Sequence, residues 1–288
     1  MESLPISVII IARNAESTIE ECLDSIQRNK PVEIIVVDGV SIDRTVAIAK
    51  RYTERVYSDD GRAKAYARQL GAEQATQEYI AYVDSDIILT DRALATMLAE
   101  LQSADFIAIS ARQLLPISKR PNYWEWANYQ HHQYGNNRRS PRDYLGLAAC
   151  LFRRETIIKY GFDVSGRMRD VDDMDLALRL GKDDYKFGIS TASVYHNHRE
   201  DFKGFIRYRF FLGKVYVQYI RKWGPWHVGV WVPIVMLYWL GFCLVKGKLK
   251  LIPYFVVNGV VRTAGMAKGF AELIIEHARM KDGTDMER

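Results

Sequence analysis

The chain has 288 residues, 48% of them hydrophobic and 26% charged, which is apolar material for at least one full core and excludes both disorder and a disulfide-dependent miniprotein. Its 40 basic and 35 acidic residues leave a net charge of +5, too little for a nucleic-acid binder by charge alone. Cys22, Cys150 and Cys243 lie far apart with no CxxC pair, so neither a zinc cage nor a disulfide framework is expected and a reducing cytosolic setting fits.

Up to about residue 200, short apolar runs alternate with amphipathic stretches, the pattern of βα units around a mostly parallel sheet. The opening MESLP lacks a basic run and does not read as a secretory signal. Ile6–Ile11 and Glu33–Val37 are β-branched runs that predict buried strands, and Ile19, Leu23 and Ile26 between them sit at helical spacing. Asp38-Gly-Val-Ser-Ile-Asp43 predicts a tight turn and a helix start, followed by a helix over Thr45–Tyr52. Further helices are expected over Gly61–Ala75 and Asp91–Gln102, with strands over Tyr79–Val83 and Phe106–Ser110. The aromatic run Tyr123–Tyr134 reads as an insertion, followed by the basic loop Arg138 to Arg142. Regular structure resumes over Gly146–Phe152, then helices over Arg154–Tyr160 and Asp172–Leu180 and a strand near Ser193–His196.

Beyond Phe202 the texture changes. Phe202–Trp223 interleaves basic and aromatic residues, as suits a helix at a lipid headgroup surface. Trp226–Val245 is a run of 20 residues without Asp, Glu, Lys or Arg, long enough to span a bilayer. Pro233 interrupts it, however, and basic residues flank both ends, whereas a single span is basic on one side only. The expectation is a C-terminal anchor over residues 224–278 that re-enters on the cytoplasmic side or lies at the interface, with a polar tail over 279–288. The competing expectation is a buried helical pair or a homo-oligomer interface.

The sharpest chemical signal is Asp84-Ser85-Asp86 at the end of a predicted strand, the edge where open α/β sheets collect ligands. Two carboxylates there can hold a divalent cation beside a diphosphate. Asp38 ends the neighbouring predicted strand, where a carboxylate can accept hydrogen bonds from a base or ribose. Asp170, Asp172, Asp173 and Asp175 open a helix. Acids complement the helix dipole there, yet four exceed what capping needs, and one crowded by the others gains the proton affinity of a general base. His196 and His198 follow a predicted strand and can each serve as a metal or phosphate ligand.

In their order, SVIIIARNAE (Ser7–Glu16), EIIVVDGVSIDRT (Glu33–Thr45), GRAKAYARQLGAEQATQEYIAYVDSD (Gly61–Asp86), GLAACLFRRETI (Gly146–Ile157) and DDMDLALRL (Asp172–Leu180) resemble the inverting glycosyltransferases of family 2. The resemblance implies a GT-A (Rossmann-like) α/β catalytic domain over residues 1–201, with a basic aromatic interfacial helix over 202–223. It implies a nucleotide-sugar donor, UDP- or GDP-linked, held by Ala12, Asn14, Asp38, Arg62, Asp84 and Ser85. Asp84 and Asp86 would bind Mg²⁺ or Mn²⁺ with His196 or His198, the choice between the two staying open, and Asp173 would be the catalytic base. Processive members carry Gln-x-x-Arg-Trp, whereas Gln218-Tyr-Ile-Arg221-Lys-Trp223 has one residue more, so a single-sugar transfer is expected. With a membrane surface on the cytoplasmic side, the expected acceptor is lipid-linked or a glycan. The rival readings are a sugar nucleotidyltransferase, which would want a Gly-rich loop where IIIARNAEST has no glycine, and a membrane-tethered binding module without catalysis.

Overall fold

The computed structural model describes residues 3–114, 121–136, 145–166, 168, 170–197, 201–225 and 231–281. The chain divides into two compact units, Met1–Pro121 with Tyr129–Arg199, and Asn122–Asn128 with Glu200–Arg288.

In the first unit the strands are β1 (Leu4–Ala12), β2 (Pro31–Asp38), β3 (Val56–Ser58), β4 (Tyr79–Asp84), β5 (Ile87–Leu89), β6 (Ala108–Leu114), β7 (Ala149–Arg153) and β8 (Phe187–His196). They form one sheet in the order β3-β2-β1-β4-β7-β6-β8-β5. The half from β3 to β4 is parallel, as the alternating pattern predicts. The other half is mixed, because β7 runs antiparallel to both β4 and β6, and β5 antiparallel to β8. The mostly parallel sheet expected from the sequence is thus a mixed sheet.

The helices of this unit are α1 (Ile19–Arg28), α2 (Thr45–Ala49), α3 (Lys64–Gln74), α4 (Ala93–Ser103), α6 (Arg154–Tyr160) and α7 (Asp172–Gly181); α5 (Tyr123–Asn136) begins in the second unit's share of the chain. Side chains alternate across a strand, so β1 serves two cores. Ile6, Val8 and Ile10 pack with Ile19, Leu23 and Ile26 of α1 and with Leu94, Met97 and Leu101 of α4. Ile9 faces the other side with Ile35 and Val37, against Ala65 and Ala72 of α3, Ile157 of α6 and Leu176 of α7. Burial on both faces is why these strands read as continuous β-branched runs. Gly71 lets α3 approach closely, since a Cβ there would lie 2.4 Å from Ile9 Cγ2.

The second unit is helical: α8 (Phe202–Trp223), α9 (Val232–Val245) and α10 (Ile252–Lys281). Residues 226–230 lie outside the described residues, and α9 begins at Val232, so the described part of the uncharged run is a helix of 14 residues. Among the described residues, no helix is long and apolar enough to cross a membrane. The shorter apolar stretch Leu251–Val261 enters a helix of 30 residues that continues through polar sequence to Lys281.

Candidate active site

The carboxyl ends of β1, β2 and β4 are aligned by register, Ala12 opposite Asp38 and Ile11 opposite Asp84, so residues far apart in sequence meet at one edge. The loops after β1 and β2 are stitched together there. Gly39 N–H donates to the Ala12 carbonyl at 2.8 Å, Asn14 N–H to Ser41 Oγ at 2.8 Å, and Ile42 N–H to Asn14 Oδ1 at 2.9 Å. Asn14 holds φ at 49°, a left-handed conformation that asparagine tolerates better than most residues.

The edge encloses a cleft of about 580 Å³, within the range of small-molecule sites. Of the residues implicated by sequence, Ala12, Asn14, Arg62, Asp84, Ser85 and Asp86 line it. Asp38 does not. It is only 6% exposed, and its carboxylate accepts from Ser41 N–H at 2.9 Å and Ser41 Oγ at 2.5 Å, which ties it first to loop geometry.

Asp86 and His196 are brought together by β5, the short strand that follows Asp86. Its antiparallel pairing sets Ile87 opposite His196, so the imidazole Nε2 comes to 3.0 Å from Asp86 Oδ2. Asn197 N–H donates to the Asp86 carbonyl at 2.7 Å and fixes the same turn. A carboxylate with an imidazole is a donor pair suited to Mn²⁺ or Mg²⁺ when phosphate oxygens and water complete the sphere. Among the described residues, no group of three His, Cys, Asp or Glu side chains is arranged to hold a metal ion. His198 lies outside the described residues.

The acid cluster at the start of α7 is sorted by its partners. Asp172 is buried and ion-paired with Arg68 of α3, whose guanidinium also stands 3.6 Å from Asp84. Asp175, fully buried, pairs with Arg179 at 3.0 Å, and Asp170 with Lys64 at 2.8 Å. Asp173 is half-buried, and its Oδ1 accepts from Met174 N–H at 2.8 Å. Burial and then the neighbouring Asp172 charge raise its pKa to about 7, while Arg68, the Met174 N–H and Lys64 pull the other way.

Arg68, Lys64, Asp59 and Arg13 were not assigned roles from sequence, yet Lys64, Asp59 and Arg13 line the cleft and Arg68 ties Asp84 to Asp172. The signal for Arg68 is its spacing, since it falls on the α3 face that buries Ala65 and Ala72, and an arginine there requires a buried acid. Burial depresses the Lys64 ammonium's hold on its proton, but Asp170 and Asp84 more than reverse this, so Lys64 stays charged. The three cysteines are free and buried, and burial raises all their thiol pKa values, that of Cys150 to about 12.

Residues 7–161, more than half of the chain, match the family model Glycosyl transferase family 2, and the chain belongs to that family. It is 32% identical over 123 residues to the lipopolysaccharide core biosynthesis glycosyltransferase LpsC of Rhizobium meliloti (strain 1021), covering 41% of this chain and 43% of the relative. It is 37% identical over 94 residues to the 4,4'-diaponeurosporenoate glycosyltransferase of Staphylococcus haemolyticus (strain JCSC1435), covering 30% of this chain and 25% of the relative. The matched segments thus span less than half of either curated relative.

Among solved structures, the mannosyltransferase PcManGT of Pyrobaculum calidifontis, in complex with GDP-Man and Mn²⁺, is similar with a TM-score of 0.61 at 18% identity, over 94% of this chain and 88% of that one. Glucosyl-3-phosphoglycerate synthase of Mycobacterium tuberculosis, with Mg²⁺ and UDP, is similar with a TM-score of 0.54 at 17% identity, over 76% and 79%. The shared architecture is a mixed α/β, GT-A-like fold.

Proposed function

We propose that the protein is an inverting, membrane-associated glycosyltransferase of the hexosyltransferase type, moving one sugar from a UDP- or GDP-sugar to a lipid-linked or glycan acceptor on the cytoplasmic face of the membrane. The observation that carries this reading is the sorting of the acid cluster, in which Asp170, Asp172 and Asp175 each meet a cation while Asp173 has its proton affinity raised to the range a general base needs. The supporting likeness in fold is to a mannosyltransferase solved with GDP-Man and Mn²⁺ and a glucosyl-3-phosphoglycerate synthase solved with UDP and Mg²⁺.

In this reading Ala12 and Asn14 shape the donor pocket, Asp38 holds the loop that faces the base, and Arg13, Arg62 and Lys64 meet the diphosphate. Asp86, with His196 and Asp84, would hold Mg²⁺ or Mn²⁺, which supplies neutralisation of the departing nucleoside diphosphate. Asp173 takes the proton from the acceptor hydroxyl as that oxygen attacks the anomeric carbon from the face opposite the leaving group, which inverts the configuration. Positioning and charge compensation supply the rate.

The test is release of nucleoside diphosphate from UDP- and GDP-sugars by the purified chain with Mn²⁺. Turnover that disappears in Asp173→Asn while donor binding persists supports the reading. A protein that binds donor without turnover under any acceptor is instead the binding module, and pyrophosphate release from a nucleoside triphosphate identifies a nucleotidyltransferase.

A further inference from the structure

From Phe202 to Ala271 the chain carries 11 Lys or Arg residues and no Asp or Glu. The second unit handles this positive charge in two ways. Along α8 part of it is paired within the unit: Arg209 is buried and donates to Asn128 Oδ1 at 2.8 Å, Lys214 meets Glu272 at 2.8 Å, and Arg221 lies 3.8 Å from Glu276, while Lys203, Arg207 and Lys222 stay exposed. α8 and α10 are also in backbone contact, since a Cβ on Gly213 would fall 2.1 Å from the Arg262 carbonyl oxygen. Arg209, Lys214 and Arg221 of the basic aromatic helix are therefore engaged inside the unit, whereas Lys203, Arg207 and Lys222 are exposed.

α9 and the turn after it are different. The inner face of α9 packs on α10, with Trp239 stacked on Phe255 at 4.9 Å and Met236 filling the space over Gly259. The outer face places Ile234, Leu237, Tyr238, Leu244 and Val245 along one stripe by helical spacing, and all are exposed, Leu237 to 64% and Val245 to 82%. α10 has an exposed stripe of its own through Val256, Val260, Phe270 and Ile274. Between the helices the turn at Gly247, φ +64°, presents Lys246, Lys248 and Lys250 to solvent beside exposed Leu249.

We infer that the outer face of α9, with the turn that follows it, docks in the plane of an anionic lipid surface, with the aliphatic stripe at the headgroup and acyl boundary and Lys246, Lys248 and Lys250 among the phosphates. An aliphatic face edged by lysines and empty of acids selects a partner both apolar and negative, which an acidic phospholipid is. A second copy of the chain would bring a face with the same lysines and no acid on the stripe, so self-association gains nothing from that charge. The docking deepens the membrane-associated reading above and rests on it, yet it is measured separately from donor binding.

The test is flotation of the full chain with vesicles of phosphatidylcholine, with and without phosphatidylglycerol. The wild type floats with the anionic vesicles, and Lys246→Gln/Lys248→Gln/Lys250→Gln lowers partition by about 10²-fold. Leu237→Gln/Leu244→Gln, replacing exposed residues, lowers it by at least about tenfold. Donor protection against thermal unfolding stays intact in both variants, so a failure of docking is distinguishable from a failure of the catalytic reading. Wild-type protein that stays behind, or variants that float as it does, overturns the inference. So does a concentration-dependent dimer abolished by Leu237→Gln/Leu244→Gln with no vesicle binding, which would give the face to a second copy.

Discussion

Asp173 and Arg68 carry opposite obligations at the same site. In the unfolded chain an aspartate releases its proton near 4, whereas folded Asp173 keeps it to about 7. The folded state therefore binds the extra proton across that window, and this group's contribution to stability falls as pH rises from about 4 to about 7. Asp173→Asn is expected to lose transfer by ~10²-fold or more with donor affinity retained, and to remove the rising limb of kcat/KM near pH 7. Its melting temperature should exceed that of the wild type by more at pH 8 than at pH 5, a difference calorimetry reads directly. Arg68→Met leaves Asp172 buried without its cation and should lower stability by about 3 kcal/mol in denaturant titration, and adding Asp172→Leu should recover most of it. At this scale the sequence was informative about which positions bear carboxylates, because acids at strand ends and helix starts are visible. It is silent on which carboxylates form ion pairs among the described residues, since Lys64, Arg68 and Arg179 reach Asp170, Asp172 and Asp175 only through tertiary packing.

Elements position these groups with differing visibility. β1, β2 and β4 follow from short β-branched and apolar runs and α8 from its interleaved basic and aromatic residues, and these expected ranges, with that of α6, lie within a few residues of the observed ones. β5 was illegible, three residues wedged between Asp86 and α4, and it is β5 that brings His196 to Asp86. β7 was expected only as regular structure, and nothing local in Gly146–Phe152 reveals that it runs antiparallel between β4 and β6. Asp86→Ala removes a side chain that is only partly buried, so it should keep the wild-type melting curve while losing metal-dependent donor binding in calorimetric titration. Gly213→Ala, by contrast, forces its Cβ against backbone of α10 and should destabilise by about 1–3 kcal/mol, seen as a lower thermal midpoint with unchanged donor affinity.

For the whole molecule, the two units carry separate features, a cleft at the sheet edge of the first, the proposed donor site, and a lysine-edged apolar face on the second. Charge asymmetry is plain in the sequence, but which α8 cations meet partners within the unit, as Arg209, Lys214 and Arg221 do, and which stay exposed, as Lys203, Arg207 and Lys222 do, is set by tertiary packing. Chelation should lower donor affinity without unfolding the chain, because the sheet core is apolar on both faces and holds its shape through packing. The central claim is that the cleft at the ends of β1, β2 and β4 is a nucleotide-sugar site. Titration calorimetry of the full chain with UDP- and GDP-sugars, in Mn²⁺ and in chelator, tests it most directly. The account predicts one site per chain for one of the two nucleotide classes, weakened by chelator and by Asp86→Ala; heat-silent titrations with both classes in Mn²⁺, or binding indifferent to chelator and to Asp86→Ala, would contradict it.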